Sequence, residues 1–156
     1  MVFQPEETQP KKLPMFETLN GKIAPGYSTE KTESELLAEI SQELALMDGY
    51  VTSSQRGSDN VNGQKRHGYN IEFMLYGKPA KMTLLSYPFS SESKRTQALR
   101  HVLYVAREHL KWMRMMYVMT QTNPLLPYMI ADGEGRTAME VMQQRAMALP
   151  EKVGNA

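Results

Sequence analysis

Apolar positions recur along this chain with two different periods. Leu36, Leu37, Ile40, Leu44 and Met47 repeat at helical spacing. Thr32 with Glu35 gives the T-x-x-E spelling of a capping box ahead of that run, and Gly49 is a stop just beyond it. The period then shortens to two. Tyr69, Ile71, Phe73 and Leu75 alternate with polar neighbours, and Ala80, Met82 and Leu84 alternate on the return. Gly77-Lys78 is the expected two-residue turn, which sets Leu75 opposite Ala80, Phe73 opposite Met82 and Ile71 opposite Leu84. Pro79 falls beside the turn, where a missing N–H is tolerated. Residues 50–54 read as a short strand, and 56–68, rich in Gly, Ser, Asp and Asn, as a loop or flexible hairpin tip.

The helical period returns over 93–119. Leu99, Val102, Leu103, Ala106, Leu110, Met113 and Tyr117 share one face of this long helix. Ser90, Ser91 and Ser93 offer caps at its start, and Asn123-Pro124 ends it. A second apolar patch, 125–130, leads to the turn at 132–135. Thr137 with Glu140 repeats the capping-box spelling and opens a last helix to about Leu149, closed by Pro150. The pattern predicts an α+β layer fold: a helix, a small antiparallel sheet of two to three strands with a tight hairpin, a long amphipathic helix and a short C-terminal helix. Prolines 5, 10, 14 and 25 interrupt the start, so 1–27 reads as a flexible N-terminal arm, 28–150 as the domain and 151–156 as a frayed tail. The piece 13–16, Leu-Pro-Met-Phe, is apolar enough to dock on the domain or on a neighbouring subunit.

Charge adds a second stripe to the long helix. Arg100, Arg107, Lys111 and Arg114 lie on one line about a quarter turn from the apolar face, and Lys94 and Arg95 extend it at the helix start. Tyr104 borders the line as a stacking platform, and Lys65 and Arg66 form a basic knot with His67. A third face carries Val105, Trp112 and Met116, a strip too large for one small sheet to cover, which predicts contact with another subunit, the arm or a partner. The first helix carries Glu33, Glu39 and Glu43 on what reads as a solvated outer face.

The formal net charge of +1 over 156 residues leaves nucleic-acid affinity to such local clusters. The absence of cysteine removes disulfides, thiolate metal sites and cysteine nucleophiles. The 13 methionines, five of them in 113–129, suit either irregular core gaps or an adaptable binding surface, and the core use is favoured. The first ten residues have no apolar leader segment and no run spans a bilayer, so a cytoplasmic protein without membrane contact is expected. No catalytic constellation is legible. His101 and His109 are eight apart, not four, and all three histidines read as surface residues. Asp59 and Asn60 do not fit a calcium loop. The turn 133–137 lacks the lysine and spacing of a phosphate loop and reads as a turn with an N-cap. No enzyme activity, cofactor or metal is expected.

Residues 27–32 (Tyr-Ser-Thr-Glu-Lys-Thr), the hairpin, the long helix ending in Trp112, Leu126-Pro127-Tyr128, Asp132-Gly133 and Arg136-Thr137 together resemble a widespread group of small proteins carried by phages, plasmids and integrated elements. The likeness covers about 27–143, and this chain departs from it by an inserted Glu134-Gly135. It implies a mobile-element setting, with nucleic-acid metabolism or interference with host defence as themes, and no active site. The helix–three-strand–helix order is also similar to double-stranded RNA-binding domains and, more loosely, to ring-forming strand-annealing proteins. The resulting expectation is a non-enzymatic nucleic-acid-binding accessory protein that takes single strands on the basic helix face and assembles as a homo-oligomer or with a partner protein. The alternative is a protein-binding inhibitor or adaptor acting on a host-defence or element-encoded complex.

Overall fold

The computed structural model describes residues 13–148. The first helix, α1 (Glu33–Ala45), precedes three antiparallel strands, β1 (Gly49–Val61), β2 (Gln64–Leu75) and β3 (Lys78–Leu85), in the order β1-β2-β3. The long helix α2 (Arg95–Thr120) and the short α3 (Ala138–Ala148) follow, so the fold is α+β. Thr32 and Glu35 form the expected capping box on α1, which places Leu36, Ile40 and Leu44 on one fully buried stripe. That stripe, the inward face of β2 and β3, and Leu99, Val102, Leu103, Ala106 and Leu110 of α2 make one core. Helices cover one face of the sheet, which is what an alternating sheet pattern requires.

The β2–β3 hairpin keeps its predicted face but not its predicted turn. Tyr76 and Gly77, both at positive φ, are the turn residues, and the pairs are Leu75–Lys78, Phe73–Ala80 and Ile71–Met82. Proline explains the difference. A turn centred on Gly77-Lys78 needs the N–H of residue 79 to close it, and Pro79 has none. The slip changes each pairing by two residues, so every side chain stays on its face. Ile71, Phe73, Leu75 and Met82 are buried accordingly.

The segment 56–68, expected to be a loop or a flexible hairpin tip, is a hairpin, with regular strand pairing up to its turn. Val61 pairs with Gln64 across Asn62 and Gly63, both at positive φ, the geometry that Asn-Gly favours. β3 pairs only with 68–75, so the ribbon from 57 to 67 projects past the third strand. At its base Gly68 is obligatory, because a Cβ there would lie 1.9 Å from the Leu84 carbonyl oxygen.

The described part of the N-terminal arm, 13–27, is packed rather than free. Phe16, Leu19 and Ala24 are buried with Ala98 of α2. The Glu17 carboxylate accepts from the N–H groups of Ser90 (2.9 Å) and Ser91 (3.0 Å), tying the arm to the approach to α2. The serines therefore do not act as the expected side-chain caps; Lys94, the residue before α2, makes no capping bond. Gly26 rests on the Tyr104 ring, where any Cβ would fall 2.1 Å from a ring carbon, and its φ of +84° suits glycine. At the other end, α2 closes with Gln121 in the left-handed region. Met129 bridges to Ala80 and Ile130 to Thr137, covering part of the outer edge of β3. The expected last turn of α3 at Leu149, its stop at Pro150, the tail 151–156 and the arm before Leu13 lie outside the described residues.

Phe73, 1% exposed at the centre of the sheet, carries the core prediction. Phe73→Ala is expected to cost ~3–5 kcal/mol in denaturant unfolding, with the far-ultraviolet spectrum of the folded state retained. A loss below ~1 kcal/mol would contradict this packing.

Candidate nucleic-acid interface

The long cationic line divides into two halves with different roles. In the C-terminal half α1 supplies the counter-charges. Arg107 donates to Glu39 at 2.6 Å and to Glu108 at 2.8 Å, and Arg114 donates to Glu43 at 2.9 Å. Glu39 also takes Lys31, and Glu33 takes Arg56 and the Tyr69 hydroxyl. The expected solvated acidic face of α1 is thus turned onto α2 and β1. Lys31 first, and Arg107 after it, hold the Glu39 carboxyl below its ordinary pKa. Tyr104 is spent as well. One side of its ring meets Gly26, and the Arg107 guanidinium lies 4.7 Å from the ring centroid. Arg107, Arg114 and Tyr104 therefore form an intramolecular seam rather than an open phosphate track; Lys111 alone of this half stays exposed and unpaired among the described residues.

The N-terminal half gathers charge instead of neutralising it. The β1–β2 ribbon approaches the start of α2 at His67, so Lys65 and Arg95 both act on the His67 ring. That ring is held below its ordinary pKa first by partial burial and then by these two cations, with Glu92 opposing. His67 stacks on Phe89 with centroids 5.4 Å apart. Arg66 donates to the Ser86 carbonyl at 2.6 Å and 3.0 Å, which fixes its guanidinium at the edge of the group. Glu92 pairs with Arg95 at the surface, and Asp59 lies opposite Arg66 across the ribbon. Lys94 also lines a cleft of roughly 460 Å³ with Arg100, Ser93, Gln97, Ser28 and Thr29, where Glu17 and Glu30 supply the opposing charge.

Two donors at this end have no acceptor. The Nε atoms of Arg95 and Arg100 are enclosed and make no hydrogen bond among the described residues. Buried donors are normally satisfied, and guanidinium donors most strongly by anionic oxygens. The helix start adds its own partial positive charge. The exposed amino groups of Lys65 and Lys94 are the groups at this end open to phosphate oxygens, beside an aromatic pair able to meet a base. Sequence reasoning named the cations of both segments but missed their meeting. It placed His67 in a basic knot but missed its partner Phe89, since nothing in the local pattern marks the ribbon as rigid or Phe89 as its neighbour.

The histidines take three separate positions. His101, expected at the surface, is 4% exposed because the arm crosses that face of α2. Its ring lies between Phe16 and Tyr87, and Nε2 donates to the Pro25 carbonyl at 3.2 Å. His109 shares a 2.7 Å hydrogen bond with the Tyr128 hydroxyl. Thr137 accepts from the Glu140 N–H at 3.2 Å, and Asp132 accepts from Glu134 and Arg136, so 132–137 is the expected turn with an N-cap. The strip at Val105, Trp112 and Met116 is open to solvent at all three positions.

Burial holds His101 and His109 below their ordinary pKa, with the Pro25 carbonyl partly offsetting it at His101. A lowered native pKa means that the unfolded chain binds more protons on acidification. Stability is expected to be full above about pH 6.5 and to decline as pH falls below that value. His101→Gln should flatten the slope of unfolding free energy against pH between about 6.5 and 5; an unchanged slope would count against the buried neutral ring.

Comparison of the chain with protein-family models, with curated proteins and with solved structures finds no match in any of the three.

Proposed function

We propose that the protein is a non-enzymatic nucleic-acid-binding accessory protein, suited to the mobile-element setting that its resemblance implies. It contacts phosphates with the N-terminal end of α2 and the returning strand of the β1–β2 ribbon. The observation that carries the reading is that Lys65 of the ribbon and Arg95 of α2, from two segments distant in sequence, meet at the stacked His67–Phe89 pair, with Arg66 and the exposed Lys94 next to them in the chain. Phosphate neutralisation supplies most affinity for a strand without regard to sequence, and the Phe89–His67 pair adds a surface for stacking. The single-strand preference rests on that combination of cations and aromatic rings rather than on the full length of α2. No helix among the described residues is long and apolar enough to cross a membrane.

A salt-titrated mobility shift with single-stranded DNA and RNA tests this. The wild type is expected to bind at low salt and to weaken linearly on a log–log plot. Lys65→Glu with Lys94→Glu should lower affinity at least ~10-fold and reduce the slope by about 0.7 per lost contact, with stability within ~0.5 kcal/mol of wild type. Lys111→Glu should bind nearly as the wild type does. Absence of binding to either polymer at low salt would overturn the proposal and leave the cations to an acidic protein surface, the inhibitor or adaptor reading.

A further inference from the structure

The C-terminal half of α2 has an apolar surface that nothing among the described residues covers. Trp112 is 61% exposed, Met116 46% and Met119 75%. Beside them runs an apolar groove of roughly 430 Å³ between α2 and α3, walled by Met113, Pro127, Tyr128, Met139, Met142 and Ala146. α3 itself buries no residue, and Met142 is 68% exposed. A helix of 11 residues is marginal in water without packing on an apolar face, so α3 needs a cover that this chain's described part does not provide.

We propose that a second copy of this chain is that cover, in a two-fold dimer in which Trp112 of each copy enters the Met113–Met142 groove of the other. Two features favour a copy over an unrelated protein. Knob and groove are adjacent: Trp112 and Met113 are consecutive, about 100° apart on one helix, and Trp112 points out of its own groove. A surface carrying both a knob and a matching hole is complementary to itself, which is the condition for an isologous contact. The area is also of the right size. The four exposed side chains and the groove walls present on the order of 600 Å² of apolar surface, so two copies would bury about 1,200 Å², the lower end for a stable specific interface. A patch of that size is at the limit of what a monomer leaves open. Val105 lies outside the contact, since it faces Ile23 and Pro25 of the arm.

Sedimentation equilibrium of the full chain, read together with its fluorescence, tests the proposal, because Trp112 is the only tryptophan. The expected result is twice the 17.8 kDa chain mass at about 100 µM, dissociation on dilution, and a red shift of Trp112 emission over the same concentration range. Trp112→Asp and Met142→Asp should each give a monomer at that concentration with an unchanged far-ultraviolet spectrum. A wild type that stays monomeric would overturn the proposal, including the case of blue-shifted emission, in which another part of the same chain fills the groove. So would a dimer whose Trp112 emission stays that of water-exposed indole, or a dimer that survives both substitutions. Recovery only in a stable complex with a different protein would also overturn it.

Discussion

Helix α2 carries more chemistry on its surface than one neighbour can satisfy, and the fold is arranged around that fact. One face needs apolar cover and receives it from β2, β3 and α1. A second carries guanidinium groups, and α1 turns Glu39 and Glu43 onto Arg107 and Arg114. A third is apolar again, and the chain from Phe16 to Gly26 covers its first half through Ala98, His101 and Tyr104. Two parts of α2 are less completely covered by the described residues: the cationic N-terminal end and the apolar C-terminal half around Trp112. Those parts carry the two proposals.

The Arg107–Glu39 pair ties this arrangement together. Both side chains are mostly shielded from water, at 15% and 27% exposure, so their attraction is screened less than that of a surface pair. Removing one partner leaves the other charge partly buried without its counter-ion, which costs more than the pair itself contributes. The same guanidinium lies 4.7 Å from the Tyr104 ring centroid, and the same ring supports Gly26. One side chain thus links α1, α2 and the arm. That coupling explains why four cations in a line do not make one continuous binding surface.

Much of the architecture is written locally and was legible. The Thr32–Glu35 and Thr137–Glu140 caps, the inward set Ile71, Phe73, Leu75 and Met82, and the apolar seam of α2 each follow from spacing alone. The turn sits at 76–77 rather than 77–78 because Pro79 beside a Gly77-Lys78 turn would leave its closing hydrogen bond without a donor, a cost that outweighs the glycine signal. At 56–68 the polar composition leaves loop and hairpin tip both open, and Asn62-Gly63 is the local signal that favours the hairpin found. Charge pairing was the least legible. Glu39 is 68 residues from Arg107, and only the packing of two helices brings them within 2.6 Å. The candidate site has the same character: Lys65 and Arg95 are each visible in the sequence, while their meeting at His67 depends on the length of the ribbon.

A double-mutant cycle on Glu39 and Arg107 measures the coupling on which this account depends. Glu39→Gln and Arg107→Gln are each expected to lose ~1–3 kcal/mol of unfolding free energy, and the double variant clearly less than their sum, a coupling of ~1 kcal/mol or more. Single variants as stable as the wild type, with losses that simply add, would mean that Arg107 is a free surface cation, and the division of the basic line into a structural half and a binding half would fall.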